Sequence, residues 1–313
     1  MTDRKLISIV VPFFNEGEVV ATFYERITGV ANSIPDLEFE FVCVNDGSRD
    51  DTLDKLAQLV ADDARVRVID LSRNFGKEAA LTAGLDEARG DAVIPMDADL
   101  QDPPELISTL ISHWRQGYEV VLAKRVDRQS DTYLKRKTAE LFYRLHNDIS
   151  DTHIPENVGD FRLIDRAVVT ALRVLPERRR FMKGLFAWVG FKTATVEYAR
   201  APRVGGKTKF SGWKLWNFAL EGITSFSTAP LRVWTYLGTS FAVIGFLYAI
   251  YYILRTLIFG IDVPGYASLL TAILFLGGIQ LIGIGVIGEY VGRIYIESKQ
   301  RPIYIVRNRL QRK

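Results

Sequence analysis

Short apolar runs and amphipathic segments alternate along residues 1–125. The runs rich in β-forming residues are Ile7–Phe13, Phe39–Val44, Val66–Leu71, Ala92–Met96 and Glu119–Ala123. The segments with helical spacing between them are Glu16–Ala31, Asp51–Asp62, Lys77–Ala88 and Pro104–Arg115. Because such alternation is typical of right-handed βαβ units, the pattern predicts an α/β fold with a doubly wound, mostly parallel sheet.

Two long apolar runs follow in the last third of the chain. No charged residue occurs from Val233 to Leu254 or from Val263 to Gly288. Each run exceeds the ~20 residues that a helix needs to cross about 30 Å of hydrocarbon. Two buried helices of a soluble core are the alternative, but soluble helices seldom lack a polar face over such a length. The pattern therefore predicts two C-terminal transmembrane helices.

The net charge of the 313-residue chain is only +3, but its basic residues are unevenly placed. Basic residues flank the two apolar runs on their outer sides, at Lys207, Lys209, Lys214, Arg232, Arg293, Lys299, Arg301, Arg307, Arg309, Arg312 and Lys313. The connection between the runs carries only Arg255 and Asp262. By the positive-inside rule, both flanks face the cytoplasm. Met1–Lys5 leads directly into a strand-like run, so no signal peptide is expected.

Cysteine and histidine usage narrows the kinds of site. Cys43 is the single cysteine, which excludes an internal disulfide framework and suits a reducing compartment. The three histidines, His113, His146 and His153, stand at unrelated spacings and form no histidine-rich metal motif.

Polar residues follow each of the first four predicted strands. The segments are Pro12–Glu16, Asn45–Ser48, Ser72–Lys77 and Asp97–Pro103. In open α/β sheets, ligands bind beyond the carboxyl ends of the strands. Charged groups converging from four successive strand ends therefore predict a binding site at that edge.

Asp97 and Asp99 carry the clearest chemistry at this edge. In an extended segment, residues two apart point the same way, so both carboxylates face one spot. They repel each other unless a cation joins them, and oxygen ligands suit Mg²⁺ or Mn²⁺. Such a cation would bridge a nucleotide diphosphate, with Gln101 as a candidate third ligand. The alternative is that Asp99 or Asp102 caps the helix that follows.

Asp46 and Glu16 each have a local interpretation and a functional one. Asp46 lies in an Asn-Asp-Gly-Ser segment, where it either forms a turn or accepts a hydrogen bond from N3–H of uracil. Glu16 either favours the first turn of a helix through the macrodipole or binds ribose hydroxyls.

Four ordered motifs, VVPFFNE, VNDGSRDDT, RNFGKEAA and MDADLQDPP, together carry a family resemblance. The chain resembles family 2 glycosyltransferases of the GT-A fold, and within them the dolichol-phosphate mannose synthase group. It is most similar to the bacterial bactoprenol (undecaprenyl phosphate) glucosyltransferases with two C-terminal spans. The resemblance covers essentially the whole chain, including the KFSGWKL and SFSTAPLR segments before the first apolar run.

The resemblance implies a role for each matching position. Pro12, Glu16 and Asp46 would hold uridine, with Lys77 nearby. Asp97, Asp99 and Gln101 would hold the metal and the donor diphosphate. Asp160 stands where the family carries its proposed catalytic base. Arg125, Arg136 and Arg203 would bind phosphate, and the reaction would invert the anomeric centre in a single in-line displacement.

The acceptor's chemistry leaves the role of Asp160 open. A phosphate monoester has its second pKa near ~6, so the nucleophile is largely ionised at neutral pH and needs little help from a base. Asp160 would then orient the acceptor or stabilise positive charge on the sugar. The local alternative is that it braces a turn after Gly159.

Two glycine-rich segments invite other interpretations. Val204–Lys209 lacks the first glycine of a P-loop, which is Ala201 here, and no strand clearly leads into it. It is interpreted as a mobile loop that brings Lys207 and Lys209 to phosphates, or else as a surface turn. Gly283–Gly288 spells a dinucleotide fingerprint, but it lies inside an apolar run, where small residues favour helix packing.

The sequence therefore predicts four parts. They are a cytoplasmic GT-A catalytic domain (1–210), an interfacial amphipathic region (211–231), a two-helix membrane anchor (232–292) and a basic cytoplasmic tail (293–313). The helical pattern at 211–231 fits a helix at headgroup depth, or one packed on the soluble domain.

The expected protein is a multi-pass enzyme of the inner (plasma) membrane. Its partners would be a UDP-sugar, polyprenyl phosphate and the lipid bilayer, with no nucleic acid and a homo-oligomer as a further option. A processive polysaccharide synthase is less well supported, because the chain has no Q-x-x-R-W motif and too few spans for a channel. A catalytically silent scaffold is disfavoured by the intact Asp97, Asp99 and Asp160.

Overall fold

The computed structural model describes residues 4–126, 155, 158–178, 180–199, 228–260 and 265–312. Arg136, Arg203, Lys207, Lys209 and nearly all of the predicted interfacial region lie outside the described residues. The strands are β1 Leu6–Phe13, β2 Glu38–Asn45, β3 Val66–Leu71, β4 Ala92–Pro95, β5 Val120–Arg125, β6 Val158–Asp165, β7 Thr193–Tyr198 and β8 Val306–Gln311. The helices are α1 Val20–Asn32, α2 Thr52–Asp62, α3 Lys77–Glu87, α4 Ile107–Arg115, α5 Arg166–Val174, α6 Met182–Trp188, α7 Ala229–Phe259 and α8 Tyr266–Ser298.

The strands form one mixed sheet in the order β7-β5-β6-β4-β1-β2-β3-β8. β1 pairs in parallel with both β2 and β4, and β2 pairs in parallel with β3, as the sequence predicts. β6 lies antiparallel between β4 and β5, and β8 is antiparallel to β3. The sheet is therefore parallel at its centre and mixed towards both edges.

Both faces of the central strands are buried, so β1 is an almost continuous apolar run rather than an alternating one. Side chains of β1 alternate between two cores: Ile9 packs in one with residues of α1, α2 and α4, while Val10 packs in the other with residues of α3, α5 and α6. Helices on both faces confirm the doubly wound α/β architecture.

The first helix begins later than the sequence predicts, at Val20 rather than Glu16. The residues before it are held by the loop after β2: Glu16 N donates to Thr52 Oγ1 at 3.0 Å and Gly17 N to Asp50 Oδ2 at 3.2 Å. Glu16 therefore lies in a turn, and the helix-dipole interpretation of this residue is wrong.

The two long apolar helices lie where the sequence places them. By length and composition, two segments could cross a membrane: Val233–Phe259 of α7 and Phe275–Ser298 of α8. Neither apolar segment is buried within the protein. α8 continues past the charge-free run, which ends at Gly288, as far as Ser298.

The last residues differ from the predicted tail. Within 293–313, Val306–Gln311 forms β8 on the outer edge of the sheet, in register with β3 from Leu71 to Arg67. Two side chains of this segment also contact α3: Tyr304 donates to Asp86 at 2.7 Å, and Arg309 lies 2.7 Å from Glu87. The chain therefore returns from the apolar helices to the α/β sheet.

Candidate active site

Lys77 joins two carboxylates from different elements. Its Nζ lies 2.6 Å from Asp97 Oδ1 and 2.6 Å from Asp160 Oδ2. Lys77 is the first residue of α3, Asp97 follows β4, and Asp160 lies on β6 beside β4. Strand order thus brings together three residues that are far apart in the chain and that the resemblance predicted as one site.

Lys77 and Asp160 each stabilise the ionised form of the other. Burial alone would lower the pKa of Lys77, but the carboxylates of Asp160 and Asp97 raise it above its usual range. Burial would raise the pKa of Asp160, but Lys77 and then Lys183 lower it well below the usual value for an aspartate. The pKa of Asp97 is raised, chiefly by burial. Lys77 and Asp160 therefore stay ionised at neutral pH.

One oxygen of Asp160 is left for a ligand. Oδ2 binds Lys77, whereas the buried Oδ1 has no hydrogen-bond partner among the described residues. An unsatisfied buried carboxylate oxygen costs about 1–3 kcal/mol or more, so such atoms are rare outside functional positions. The local role as a turn brace does not account for this atom, since Asp160 lies within a strand.

The Asp97–Gln101 segment has the donors that a divalent cation needs. Asp97 and Asp99 are both half-buried, and Gln101 N donates to Asp99 Oδ1 at 3.2 Å. No group of three or more His, Cys, Asp or Glu side chains is close enough to hold a metal within the described part of the chain. This donor set still fits Mg²⁺ or Mn²⁺, because such ions commonly bind one or two carboxylates together with substrate phosphates.

The helix-capping interpretation of this segment is wrong for both aspartates. The short 3₁₀ turn Pro104–Leu106 that precedes α4 begins after Pro103 and has no side-chain cap. Asp102 instead accepts a hydrogen bond from the hydroxyl of Tyr198 on β7.

The carboxylate of Asp46 binds the loop after β3, about thirty residues further along the chain, rather than its own turn. Its two oxygens accept hydrogen bonds from Phe75 N at 2.7 Å and Gly76 N at 3.0 Å. Burial raises the pKa of Asp46, and these two bonds oppose that shift. These two hydrogen bonds fix the loop that ends at Lys77.

The position after Asp46 requires a glycine. The φ of Gly47 is +64°, and a Cβ at this position would lie 2.4 Å from the Arg73 carbonyl carbon.

A cavity of about 400 Å³ opens at the carboxyl ends of β1, β2 and β3. It is lined by Phe14, Asn15, Asn45, Gly47, Ser48, Arg49, Leu53, Asp70, Ser72, Arg73, Asn74 and Arg307. Pro12 lies within β1 opposite Val44, and Glu16 and Asp46 each directly adjoin lining residues in the sequence. None of these three predicted uridine ligands is among the residues that line the cavity, and their contact with uridine stays a prediction.

Arg125, a predicted phosphate ligand, is held by Tyr198 and Asp102, and the sequence assigned no role to either residue at this position. Its Nε donates to Tyr198 Oη at 3.1 Å, and its Nη2 lies 3.6 Å from Asp102 Oδ1. A Cβ on Gly159 would lie 2.8 Å from Nη2 of the same arginine. Arg125 therefore lies against the residue before Asp160. Asp102 belongs to a recognised motif, but nothing in the sequence pointed to Tyr198.

Glu78 is a further acidic group of the site. Its Oε2 accepts a hydrogen bond from Met182 N at 3.1 Å, which ties α3 to α6. Burial and the nearby charge of Asp160 raise the pKa of Glu78 to about 7. Its position directly after Lys77 is the only signal that the sequence gives.

Comparison with known proteins identifies the class of protein. Residues 8–173 match the glycosyl transferase family 2 model, and residues 229–294 match the GtrB C-terminal hairpin. The chain belongs to glycosyl transferase family 2, and it is a glycosyltransferase.

Particular relatives match nearly the full length. The bactoprenol glucosyl transferase of Shigella phage SfV is 59% identical over 306 residues, which cover 98% of this chain and 99% of that protein. The prophage bactoprenol glucosyl transferase homolog of Escherichia coli (strain K12) is 58% identical over 96% of this chain and 98% of its own length. Among solved structures, glucosyl-3-phosphoglycerate synthase from Mycobacterium tuberculosis, in complex with Mn²⁺, UDP and phosphoglyceric acid, covers 70% of this chain and 76% of that one, at 20% identity and a TM-score of 0.49.

Proposed function

We propose that this enzyme transfers glucose, with inversion, from UDP-glucose to a polyprenyl phosphate such as undecaprenyl phosphate. The observation that carries the proposal is the Lys77 bridge between Asp97 and Asp160, together with the buried Oδ1 of Asp160, which has no hydrogen-bond partner within the described part of the chain. The names of the relatives that match the chain nearly end to end support bactoprenol as the acceptor and glucose as the sugar.

On the donor side, Asp97, Asp99 and Gln101 would hold Mg²⁺ or Mn²⁺ against the diphosphate. When bound, the cation would neutralise charge on the departing UDP. Lys77 adds a fixed positive charge that does not titrate at neutral pH, because two carboxylates raise its pKa. The ammonium of Lys77 would lie close to the diphosphate oxygens and stabilise the charge that develops there.

On the acceptor side, a phosphate oxygen attacks the anomeric carbon as the bond from that carbon to the diphosphate breaks. A dianionic phosphate carries no proton to remove, so the reaction balances without a base. The lowered pKa of Asp160 makes it a weak base. Its Oδ1 would instead stabilise positive charge on the sugar, and Arg125 would bind the acceptor phosphate. Arg136, Arg203, Lys207 and Lys209 are proposed as further phosphate contacts.

The membrane is the proposed site of the reaction. Two long apolar helices and basic flanks support a multi-pass protein of the inner membrane with a cytoplasmic catalytic domain. A cysteine introduced at Gly260 should react with an impermeant reagent in intact cells, whereas one at Arg312 should react only after lysis. The reverse pattern would place the nucleotide site on the wrong side of the membrane.

The test of the activity is transfer by purified full-length protein in lipid nanodiscs. Labelled UDP-glucose and undecaprenyl phosphate should give an organic-extractable, acid-labile product, and a panel of other nucleotide sugars should give less. Asp160→Asn is the matched negative variant, because it keeps the shape of the side chain and removes its charge. Well-folded wild-type protein that yields no lipid-linked product with any sugar would refute the proposal.

A further inference from the structure

The cavity at the ends of β1, β2 and β3 has one wall from a distant part of the chain. Arg307 of β8 lines it together with the loops that follow the first three strands. Its Nη2 donates to Ser72 O at 2.6 Å, and its Nη1 lies 3.9 Å from Asp70 Oδ2. The segment that returns from the apolar helices thus contributes a charged group to the site.

Asp70 offers this cavity a buried acceptor. The residue is only 1% exposed, and Asn45 Nδ2 donates to its Oδ1 at 2.7 Å. Its Oδ2 has no hydrogen-bond partner among the described residues, and Arg307 stands beyond hydrogen-bond distance. A buried carboxylate oxygen without a donor is costly, so this atom indicates a ligand that brings an N–H or O–H group.

The other walls fit a nucleoside with an attached phosphate. Phe14 and Leu53 offer apolar surface, while Asn15, Asn45 and Ser48 offer polar groups that are held in a hydrogen-bonded loop. The arginines lining the cavity, Arg49, Arg73 and Arg307, against the single carboxylate of Asp70, make it electropositive. Such a cavity suits a planar, hydroxyl-bearing group joined to an anion.

The position relative to Asp97 agrees with this ligand. Strand order reverses between β1 and β4, and in doubly wound sheets a nucleotide lies across that point. With the diphosphate beside Asp97 on the β4 side, the nucleoside extends towards β2 and β3. The cavity lies on that side.

We propose that Arg307 is a donor-binding residue, and that Arg307 and Asp70 together form the outer wall of the nucleoside pocket. The inference rests on the proposed function and adds that donor binding requires the segment beyond the membrane helices. The docking of β8 against β3 places Arg307 at the cavity.

Calorimetry of UDP binding, with Mn²⁺, to full-length protein in nanodiscs tests the proposal. Arg307→Ala should weaken UDP binding about tenfold or more, the range expected for a lost bond to a charged group. Arg309→Ala is the matched control: it removes an arginine from the same strand, but one that pairs with Glu87 outside the cavity. It should change UDP affinity less than about threefold. Asp70→Asn, which keeps an oxygen for Asn45 and replaces an acceptor with a donor, should weaken UDP binding without lowering the melting temperature.

The outcomes separate this inference from the proposed function. Wild-type affinity in both Arg307→Ala and Asp70→Asn overturns the inference and leaves the proposed function intact. Equal weakening and equal destabilisation in Arg307→Ala and Arg309→Ala also overturn it, since docking of β8 and not the Arg307 contact would then be responsible. A folded wild-type protein that does not bind UDP at all contradicts the proposed function itself.

Discussion

Replacing Gly159 by alanine would place a methyl group against Arg125. The new Cβ would lie 2.8 Å from Arg125 Nη2, too close for two atoms that are not bonded. The backbone of β6 is held by pairing with β5, so the guanidinium is the group that moves. Its movement would lengthen the 3.1 Å bond to Tyr198 and the 3.6 Å approach to Asp102.

The size of the effect follows from the bond that is lost. A hydrogen bond to a charged group contributes about 1.5–3 kcal/mol, and the lower end applies to a side chain that is a quarter exposed. If Arg125 binds the acceptor, a loss of about 1.5 kcal/mol corresponds to roughly a tenfold higher KM for polyprenyl phosphate. UDP affinity should change by less than about twofold, because its proposed contacts lie on other elements.

Steady-state kinetics with varied acceptor concentration would measure the KM for polyprenyl phosphate, and calorimetry would measure the affinity for UDP. Gly29→Ala is the control, since a Cβ at that position of α1 meets no atom within 4 Å. It should be neutral or slightly stabilising. In an Arg125→Lys background, which lacks Nη2, Gly159→Ala should cost little further activity. An equal loss in both backgrounds would refute the contact as the cause.

Three further predictions concern charged groups of the site. Asp160→Asn should lose most turnover by a nearly constant factor from about pH 6.5 to 8.5 with UDP binding near wild type; a deficit that fades as pH rises would indicate a base. Asp99→Asn should lower turnover by orders of magnitude, and EDTA should abolish activity until Mg²⁺ or Mn²⁺ is restored; full activity in EDTA would exclude the metal. Because the pKa of Glu78 is raised to about 7, the native state binds its proton more tightly than the unfolded state, and this group's contribution to stability falls as pH rises from its ordinary pKa through 7. The melting temperature of Glu78→Gln should therefore fall less than that of wild type between about pH 5 and 8, and an unchanged slope would contradict this assignment.

The central fold could be predicted from sequence because its signal is local. β1 to β4 are apolar runs bounded by turn residues, and the observed bounds differ from the predicted ones by one residue at most. The start of α1 was misplaced because bonds from the loop after β2 hold Glu16 and Gly17 outside the helix. No local pattern encodes contacts of that kind.

The outer strands carry a weaker signal. β8 is an edge strand in which only Val306 and Leu310 are partly buried, and its arginines look like a solvated tail. Their partners, Ser72 and Glu87, lie more than two hundred residues earlier in the chain. Tyr198 likewise donates a hydrogen bond to Asp102, which lies 96 residues earlier in the chain. Family motifs located Lys77, Asp97 and Asp160, but these supporting residues emerge only from the folded arrangement.

The end of α8 and β8 together connect the apolar helices to the edge of the sheet that carries the candidate site. Glu297, near the end of α8, accepts two hydrogen bonds from Arg178 N, at 3.0 and 3.1 Å. After seven connecting residues, β8 joins the sheet at the carboxyl end of β3, where Ser72 N donates to Ile305 O at 2.9 Å. Because the central parallel strands share this direction, the edge of the sheet that carries the site is also the edge nearest the end of α8. This arrangement supports the proposed reaction, in which the phosphate of a lipid would approach Asp160 while the lipid chain stays in the bilayer.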